Sequence, residues 1–286
     1  MDKDLIIISA FISNINNNNR AISKYIEYGK ILMGINYDNL YKVIFIEKTI
    51  YNEYFNTENI NLNTYYFIYD TKQYEYFIKN KIIFVFFEKI NNYLYDYINT
   101  ITNFNINTDN HSKDTLEYIF VQCHKTEWVK IAIHLIAHIK TINIIYFNNI
   151  IQHFMWIDFF IYHVINDNIL FNKLFKQLYN GYYNDDINKT NSVRIGSCIH
   201  PNNTTYQPDI YKNIAWYFAG GVFGGNSDSL LLFADLMKKK CINIIQEKNN
   251  LMWEVNIWYL LYSTNPELFN LYECNHNSSI IENYCL

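Results

Sequence analysis

The chain opens on Leu5-Ile6-Ile7-Ile8-Ser9-Ala10-Phe11, a continuous apolar run of the kind needed by a parallel sheet's central strand, covered on both faces. Polar Asn-rich sequence follows, and between Arg20 and Met33 the residues Ile22, Tyr25, Ile26, Ile31 and Leu32 approximate a helical stripe closed by Gly34. Tyr41–Ile46 is a second strand. The segment up to Ile46 therefore predicts β-loop-α-β, a parallel unit whose strand ends point into one crevice.

The next stretch is less regular. Tyr65–Tyr69 and Ile82–Phe87 read as strands, Ile90–Ile98 as a helix, and Asn99–Lys113 as a polar interruption. Asp114–Cys123 contains an extended apolar run. From Lys125 to Ile139 the residues Trp128, Ile131, Ala132, Leu135 and Ile139 fall at helical spacing, and the chain then passes through Ile142–Phe147. Phe154-Met155-Trp156-Ile157-Asp158-Phe159-Phe160 predicts a short buried strand ending near Asp158. Asn166–Tyr211 is polar and holds two of the three prolines, so it is expected to be irregular, to cap or flank a site, and to be a candidate mobile segment.

Gly220, Gly221, Gly224 and Gly225 fall within six residues, a clustering that marks a tight turn or close approach to a ligand. Leu230–Lys240 continues as a helix that Asn226, Ser227 or Asp228 can cap. Leu251–Tyr262 predicts another helix from about Glu254, with Glu254, Ile257 and Trp258 on one face.

Composition narrows the classes. The 286 residues suffice for one large core or two modest lobes, and 50% hydrophobic with 17% charged residues excludes a wholly disordered chain. Abundant Asn, Ile, Lys and Tyr reflects A/T-rich codons, so Asn16–Asn19 reads as a loop. A net charge of −4 with no basic stripe argues against a nucleic-acid partner. The N-terminus has the pattern of neither a signal peptide nor a membrane span, which predicts a soluble, cytoplasmic protein. Five cysteines with no CxxC pair suit reduced thiols and argue against a Cys-based zinc site.

Charges within apolar sequence supply the candidate chemistry. An isolated buried charge costs several kcal/mol, so Asp158 is expected where its strand meets solvent, a ligand or a cation; a strand-end Asp capping a turn fits as well. Glu254 lies among Trp253 and Trp258, a setting for sugar contact, although the helix dipole alone also favours a Glu there. Lys125 opens a helix where the dipole disfavours a cation, so a ligand phosphate would explain it better than fold stability does. The glycine-rich stretch ahead of a helix could hold a phosphate, but GxGxxG and GxxxxGK[ST] are absent. Arg194 and His200 could each meet an anion or simply lie on the surface.

Ser9-Ala10-Phe11, Arg20, Tyr25-Ile26-Glu27-Tyr28-Gly29-Lys30, Lys125-Thr126-Glu127, Trp156-Ile157-Asp158-Phe159 and Ala219–Gly225 together resemble, in order and spacing, the HtrL/YibB family of glycosyltransferase-like proteins. Phe223-Gly224-Gly225, Trp253, Glu254 and Asn256 are similar to the layout of the retaining blood-group-type transferases. The resemblance implies a single α/β domain over 1–286 with a GT-A-like fold and a mixed, mostly parallel central sheet flanked by helices. Its nucleotide-sugar-binding half would be 1–165 and its acceptor-binding half 166–286.

The implied activity is transfer of a sugar from a nucleotide-diphosphate donor, UDP-sugar foremost, to a glycan or protein-linked acceptor. Glu254 and Asp158 would be catalytic. Ala10, Phe11, Arg20, Lys125, Trp156 and Asp158 would bind the donor, with Phe11 stacking on the base and Arg20 or Lys125 meeting the diphosphate. Gly221, Phe223, Gly224, Gly225 and Trp253 would line the acceptor pocket. Asp158 with His276, or with His163, would hold Mn²⁺ or Mg²⁺. The family's Asp-x-Asp motif is incomplete, because Phe159 and Phe160 follow Asp158. A non-catalytic carbohydrate-binding or assembly protein of the same fold is the alternative.

Overall fold

The computed structural model describes residues 4–13, 21–56, 63–108, 110–145, 147, 151–182 and 191–285. Among the described residues nine strands form one sheet in the order β3-β4-β5-β2-β1-β6-β8-β7-β9. β1 (Asp4–Phe11) lies at its centre, paired in parallel with β2 (Leu40–Ile46) and with β6 (Ile151–Ile157). Its apolar run is buried on both faces: Ile6 and Ile8 point into one core, Leu5 and Ile7 into the other. β6 splits in the same way, with Phe154 and Trp156 on the first face and Met155 and Ile157 on the second.

The expected order of strand, helix and parallel strand is present, with α1 (Ile22–Gly34) between β1 and β2; the Asn-rich stretch expected as a loop lies outside the described residues. The first core lies under α3 (Leu116–Cys123), α4 (Lys125–Thr141), α7 (Ser227–Lys248) and α8 (Glu254–Tyr262). The second lies under α1, α5 (Tyr162–Ile165) and α6 (Asn168–Tyr182). A smaller cluster packs α2 (Lys48–Tyr54) over the outer strands. Among the described residues no helix is long and apolar enough to cross a membrane.

The sheet is mixed but not mostly parallel: β1-β2, β1-β6, β2-β5 and β7-β9 are parallel, and the other four pairings are antiparallel. One antiparallel end is the meander β3 (Tyr65–Tyr69), β4 (Lys72–Lys79) and β5 (Ile82–Phe86). Its turns are two-residue hairpins, Asp70-Thr71 at φ 45° and 65° and Asn80-Lys81 at φ 50° and 55°.

Three local expectations are corrected. Ile90–Ile98 is not a helix but two 3₁₀ turns, Lys89–Asn91 and Tyr93–Tyr97, separated by extended Asn92, whose side chain accepts from Leu94 N at 3.0 Å and donates to the Phe120 carbonyl at 2.9 Å. Asn166–Tyr211 is not irregular throughout. It contains α6, which buries Phe171, Leu174, Phe175 and Leu178 at helical spacing, and the sheet strand β7 (Val193–Ser197). The glycine cluster is not a turn but the strand β8 (Phe218–Gly225), and none of its glycines has positive φ. Asn226 then caps α7 as expected, accepting from Ser229 N at 2.9 Å.

Candidate functional site

β1 and β6 are parallel, so Phe11 and Asp158 emerge at the same carboxyl edge of the sheet. β8 runs antiparallel to β6 with Ile157 opposite Val222, and Asp158 N donates to the Gly221 carbonyl at 2.9 Å. This brings the first half of β8 to that edge. The N-termini of α4 and α8 reach it from the other side, carrying Lys125 and Glu254.

Lys125 is the centre of the arrangement. Its ammonium donates to the Gly220 carbonyl at 3.0 Å and to Glu254 Oε1 at 3.1 Å, and lies 3.1 Å from Asp158 Oδ1. Lys125 and Glu254 are 4% and 3% exposed, whereas Asp158 is 19% exposed and is the solvent-facing member. Burial alone would lower the lysine pKa, but the charges of Asp158 and Glu254 and their hydrogen bonds outweigh it, leaving it raised. The placement of a cation at a helix N-terminus is thus accounted for by two carboxylates, and the phosphate inferred from sequence is not needed to explain it.

The geometry is locked from behind. Trp156 Nε1 donates to Asp158 Oδ1 at 2.8 Å, and its indole is stacked on Trp128 (centroids 5.8 Å, 5° between planes) and on Phe223 (6.3 Å, 17°). Glycine at 220 is required by close approach: a Cβ there would stand 2.4 Å from Glu254 Oε1. Glu254 Oε2 is buried with no hydrogen-bond partner.

Two cavities adjoin at this centre and share Tyr118, Gln122, Lys125, Asp158 and Phe160. The first is walled by aromatic residues including Phe11, Tyr25 and Trp128. The second is more polar and is lined by Gly220, Gly221, Trp216, Trp253, Glu254 and His276. The result is a two-lobed cleft with the Lys125–Asp158 pair at its waist.

The sequence-derived residues divide accordingly. Asp158, Lys125, Glu254, Ala10, Phe11, Gly221, Trp253 and His276 all line the cleft, and His163 lies in its second lobe. Phe11 is already stacked with Tyr25 (5.7 Å) and Phe159 (5.4 Å), so its ring belongs to an aromatic wall rather than standing free for a base. Trp156 borders the first lobe, but it is 2% exposed and serves to orient Asp158.

Three acceptor-pocket expectations fail. Phe223, Gly224 and Gly225 pair with Trp156, Met155 and Phe154, so β8 has by then carried them away from the carboxyl edge. Phe223 is fully buried between Trp258 and Phe233, and a Cβ at 224 would meet Tyr284 Oη at 2.3 Å. Arg20 lies outside the described residues. Arg194 is structural: it donates to the Tyr284 carbonyl and to Asn270 Oδ1, both at 2.7 Å, and its guanidinium sits 5.1 Å from the centre of the Tyr272 ring. His200 is exposed and Nδ1 accepts from Asn202 N at 3.2 Å.

The donor set falls short of a divalent cation. Among the described residues no group of three or more His, Cys, Asp or Glu is placed to hold a metal. Asp158 Oδ1 already serves Lys125 and Trp156, and His276 packs its ring on Trp216 at 4.2 Å with Nε2 3.8 Å from Cys198 Sγ. Sequence reasoning missed Tyr118 and Gln122, which face the waist one helical turn apart on α3; their spacing became informative only with that segment folded as a helix. No protein-family model matches the chain, and no curated protein is significantly similar to it.

Proposed function

We propose that the chain is a glycosyltransferase of GT-A-like fold, moving a sugar from a nucleotide-diphosphate donor to a glycan or protein-linked acceptor. The observation that carries this reading is the convergence of Asp158 and Glu254 on Lys125 at the waist between an aromatic lobe and a polar lobe. A nucleotide sugar has the same two-part chemistry: a flat aromatic base, a polyhydroxyl ring, and a charged link between them. In open α/β sheets such ligands bind outside the carboxyl ends of the strands.

The base would pack on the partly exposed rings of Tyr25 and Phe160, with Phe11 behind them in the wall. The diphosphate would lie at the waist, exchanging with Asp158, the most exposed of the three partners, for the Lys125 ammonium. The leaving diphosphate gains negative charge as the glycosidic bond breaks, and a preorganised ammonium in a dry site stabilises that charge without reorganisation. Glu254, with Oε2 free of protein partners, would face the reacting sugar, countering oxocarbenium-like charge or taking the proton of the acceptor hydroxyl.

One observation favours the non-catalytic reading instead: all three ammonium donors of Lys125 have partners within the protein. The two readings part on Glu254→Gln, which keeps the shape of the side chain and removes its charge. With a UDP-sugar panel, the transferase reading requires wild-type donor hydrolysis or transfer and its loss by about 10²-fold or more in the variant, with donor affinity retained. Equal rates for the two proteins would remove Glu254 from the chemistry.

A further inference from the structure

β7 and β9 (Phe269–Glu273) are parallel, with Ser197 opposite Glu273, so the residues that follow each strand, Cys198 and Cys274, leave the sheet side by side. Cys274 N donates to the Ser197 carbonyl at 3.0 Å, fixing the two backbones at sheet spacing. Residues 196 and 198 share a sheet face, and Cys274 Sγ lies on it: a Cβ at Gly196 would stand 2.6 Å from that sulfur. Glycine at 196 therefore leaves the room that the Cys274 sulfur occupies on the strand next to Cys198.

The surroundings make the two sulfurs unequal. Cys274 is 5% exposed, while Cys198 is partly open to a cavity that His200 and Glu273 also line. His276 Nε2 is 3.8 Å from Cys198 Sγ. Donation from Cys274 first, and then from His276, lowers the Cys198 thiol against the opposing effect of burial. The same hydrogen bond and burial push the Cys274 thiol upward. An accessible thiolate beside a buried resolving thiol is the arrangement of a redox-sensitive pair.

We propose that Cys198 is an oxidation site for hydrogen peroxide and that Cys274 resolves it as a reversible Cys198–Cys274 disulfide. The Cys198 thiolate attacks one peroxide oxygen, breaking the O–O bond; the leaving hydroxide takes a proton and Cys198 becomes a sulfenic acid. Cys274 sulfur then attacks the Cys198 sulfur, expelling the sulfenic oxygen, which leaves as water with the Cys274 proton. Two thiols lose two electrons in all, and the peroxide is reduced to two waters. Cys198 N donates to the Tyr217 carbonyl at 3.1 Å, and His276 packs on Trp216 in the second lobe. The bridge thus forms beside the candidate cleft while requiring no particular reaction in it.

The test treats the full chain with dilute hydrogen peroxide, blocks remaining thiols, and maps the products by mass spectrometry after non-reducing digestion. The expected major product is a crosslinked pair of peptides carrying Cys198 and Cys274, lighter by two hydrogens and reversed by dithiothreitol. Cys274→Ser should stop at a Cys198 sulfenic acid trapped by dimedone, and Cys198→Ser should leave Cys274 reduced. Cys198 should also alkylate faster than Cys285, a partly buried thiol whose pKa burial raises to about 11. Wild-type Cys198 proceeding to sulfinic acid with no crosslinked peptide, or alkylating no faster than Cys285, would overturn the proposal.

Discussion

Replacing Lys125 by Met keeps the volume of the stem and deletes the ammonium that bridges Asp158 and Glu254. Each carboxylate lies 3.1 Å from that nitrogen. At an effective dielectric constant of about 20, a pair at this distance attracts by about 5 kcal/mol. Desolvation of the buried lysine and glutamate offsets much of this, since burying each ion costs several kcal/mol. The variant, however, regains none of that cost for Glu254, which stays 3% exposed and now faces Asp158 without a cation between them. Breaking a buried pair from one side costs about 3–5 kcal/mol, and that is the loss expected for Lys125→Met. Urea unfolding followed by tryptophan fluorescence would read it as a lower midpoint at unchanged slope. The pairing also predicts non-additivity: Lys125→Met combined with Glu254→Gln should be more stable than the sum of the single effects by about 0.5–3 kcal/mol. A loss below about 1 kcal/mol, in the range of exposed ion pairs, or strict additivity, would refute the role given to Lys125.

Gly220→Ala should cost about 1–3 kcal/mol by overpacking and displace Glu254, because the new methyl would stand 2.4 Å from Oε1; Gly34→Ala, with nothing within 4 Å, is the neutral comparison in the same unfolding assay. His124 is 1% exposed, has both ring nitrogens without partners, and has its pKa held well below 6.5 by burial, then by Lys72 and Lys238. Its contribution is therefore fully present above the unfolded pKa of 6.5 and is lost as pH falls toward the folded value, by about 1.4 kcal/mol per unit; His124→Phe should flatten that acid limb. Lys125 behaves in the opposite sense. With its folded pKa raised above 10.5, its contribution is complete below that pH and disappears as pH rises through the folded pKa, so Lys125→Met should unfold less steeply at alkaline pH than the wild type.

The central strands were legible because burial on both faces leaves an unbroken apolar run, as in Leu5–Ile8 and Tyr41–Ile46. The edge meander was only partly so: β4 interleaves Lys72, Glu75 and Lys79 with buried Tyr74 and Tyr76, and its turns are Asp70-Thr71 and Asn80-Lys81 rather than the Asn-Gly or Asp-Gly pairs that announce a hairpin. Helix α6 was hidden by Asn and Lys between its apolar positions, although Phe171, Leu174, Phe175 and Leu178 carry the helical period. In β8 the glycine signal was real, but its cause was misread. Glycine serves there as clearance for Glu254 and Tyr284, a tertiary constraint that composition cannot separate from a turn.

At the site, Asp158 and Glu254 were found because a charge inside aromatic sequence must have a partner, and within the protein that partner is Lys125. Which residues share a cleft depends on strand direction. The antiparallel course of β8 is what retains Gly221 and removes Phe223, Gly224 and Gly225. The thiol pair was invisible for a similar reason, since only the parallel register of β7 and β9 places Cys198 beside Cys274.

The central claim is that the two lobes and the lysine at their waist receive a nucleotide-diphosphate sugar. It is tested most directly by a thermal-shift screen of UDP, other nucleoside diphosphates and their sugars, each with and without Mn²⁺. A nucleotide sugar at a hundredfold its dissociation constant should add about 2.7 kcal/mol of stability, a response that Asp158→Asn should alter and Glu254→Gln should leave in place. No stabilisation by any nucleotide or nucleotide sugar, in either buffer, would contradict the account.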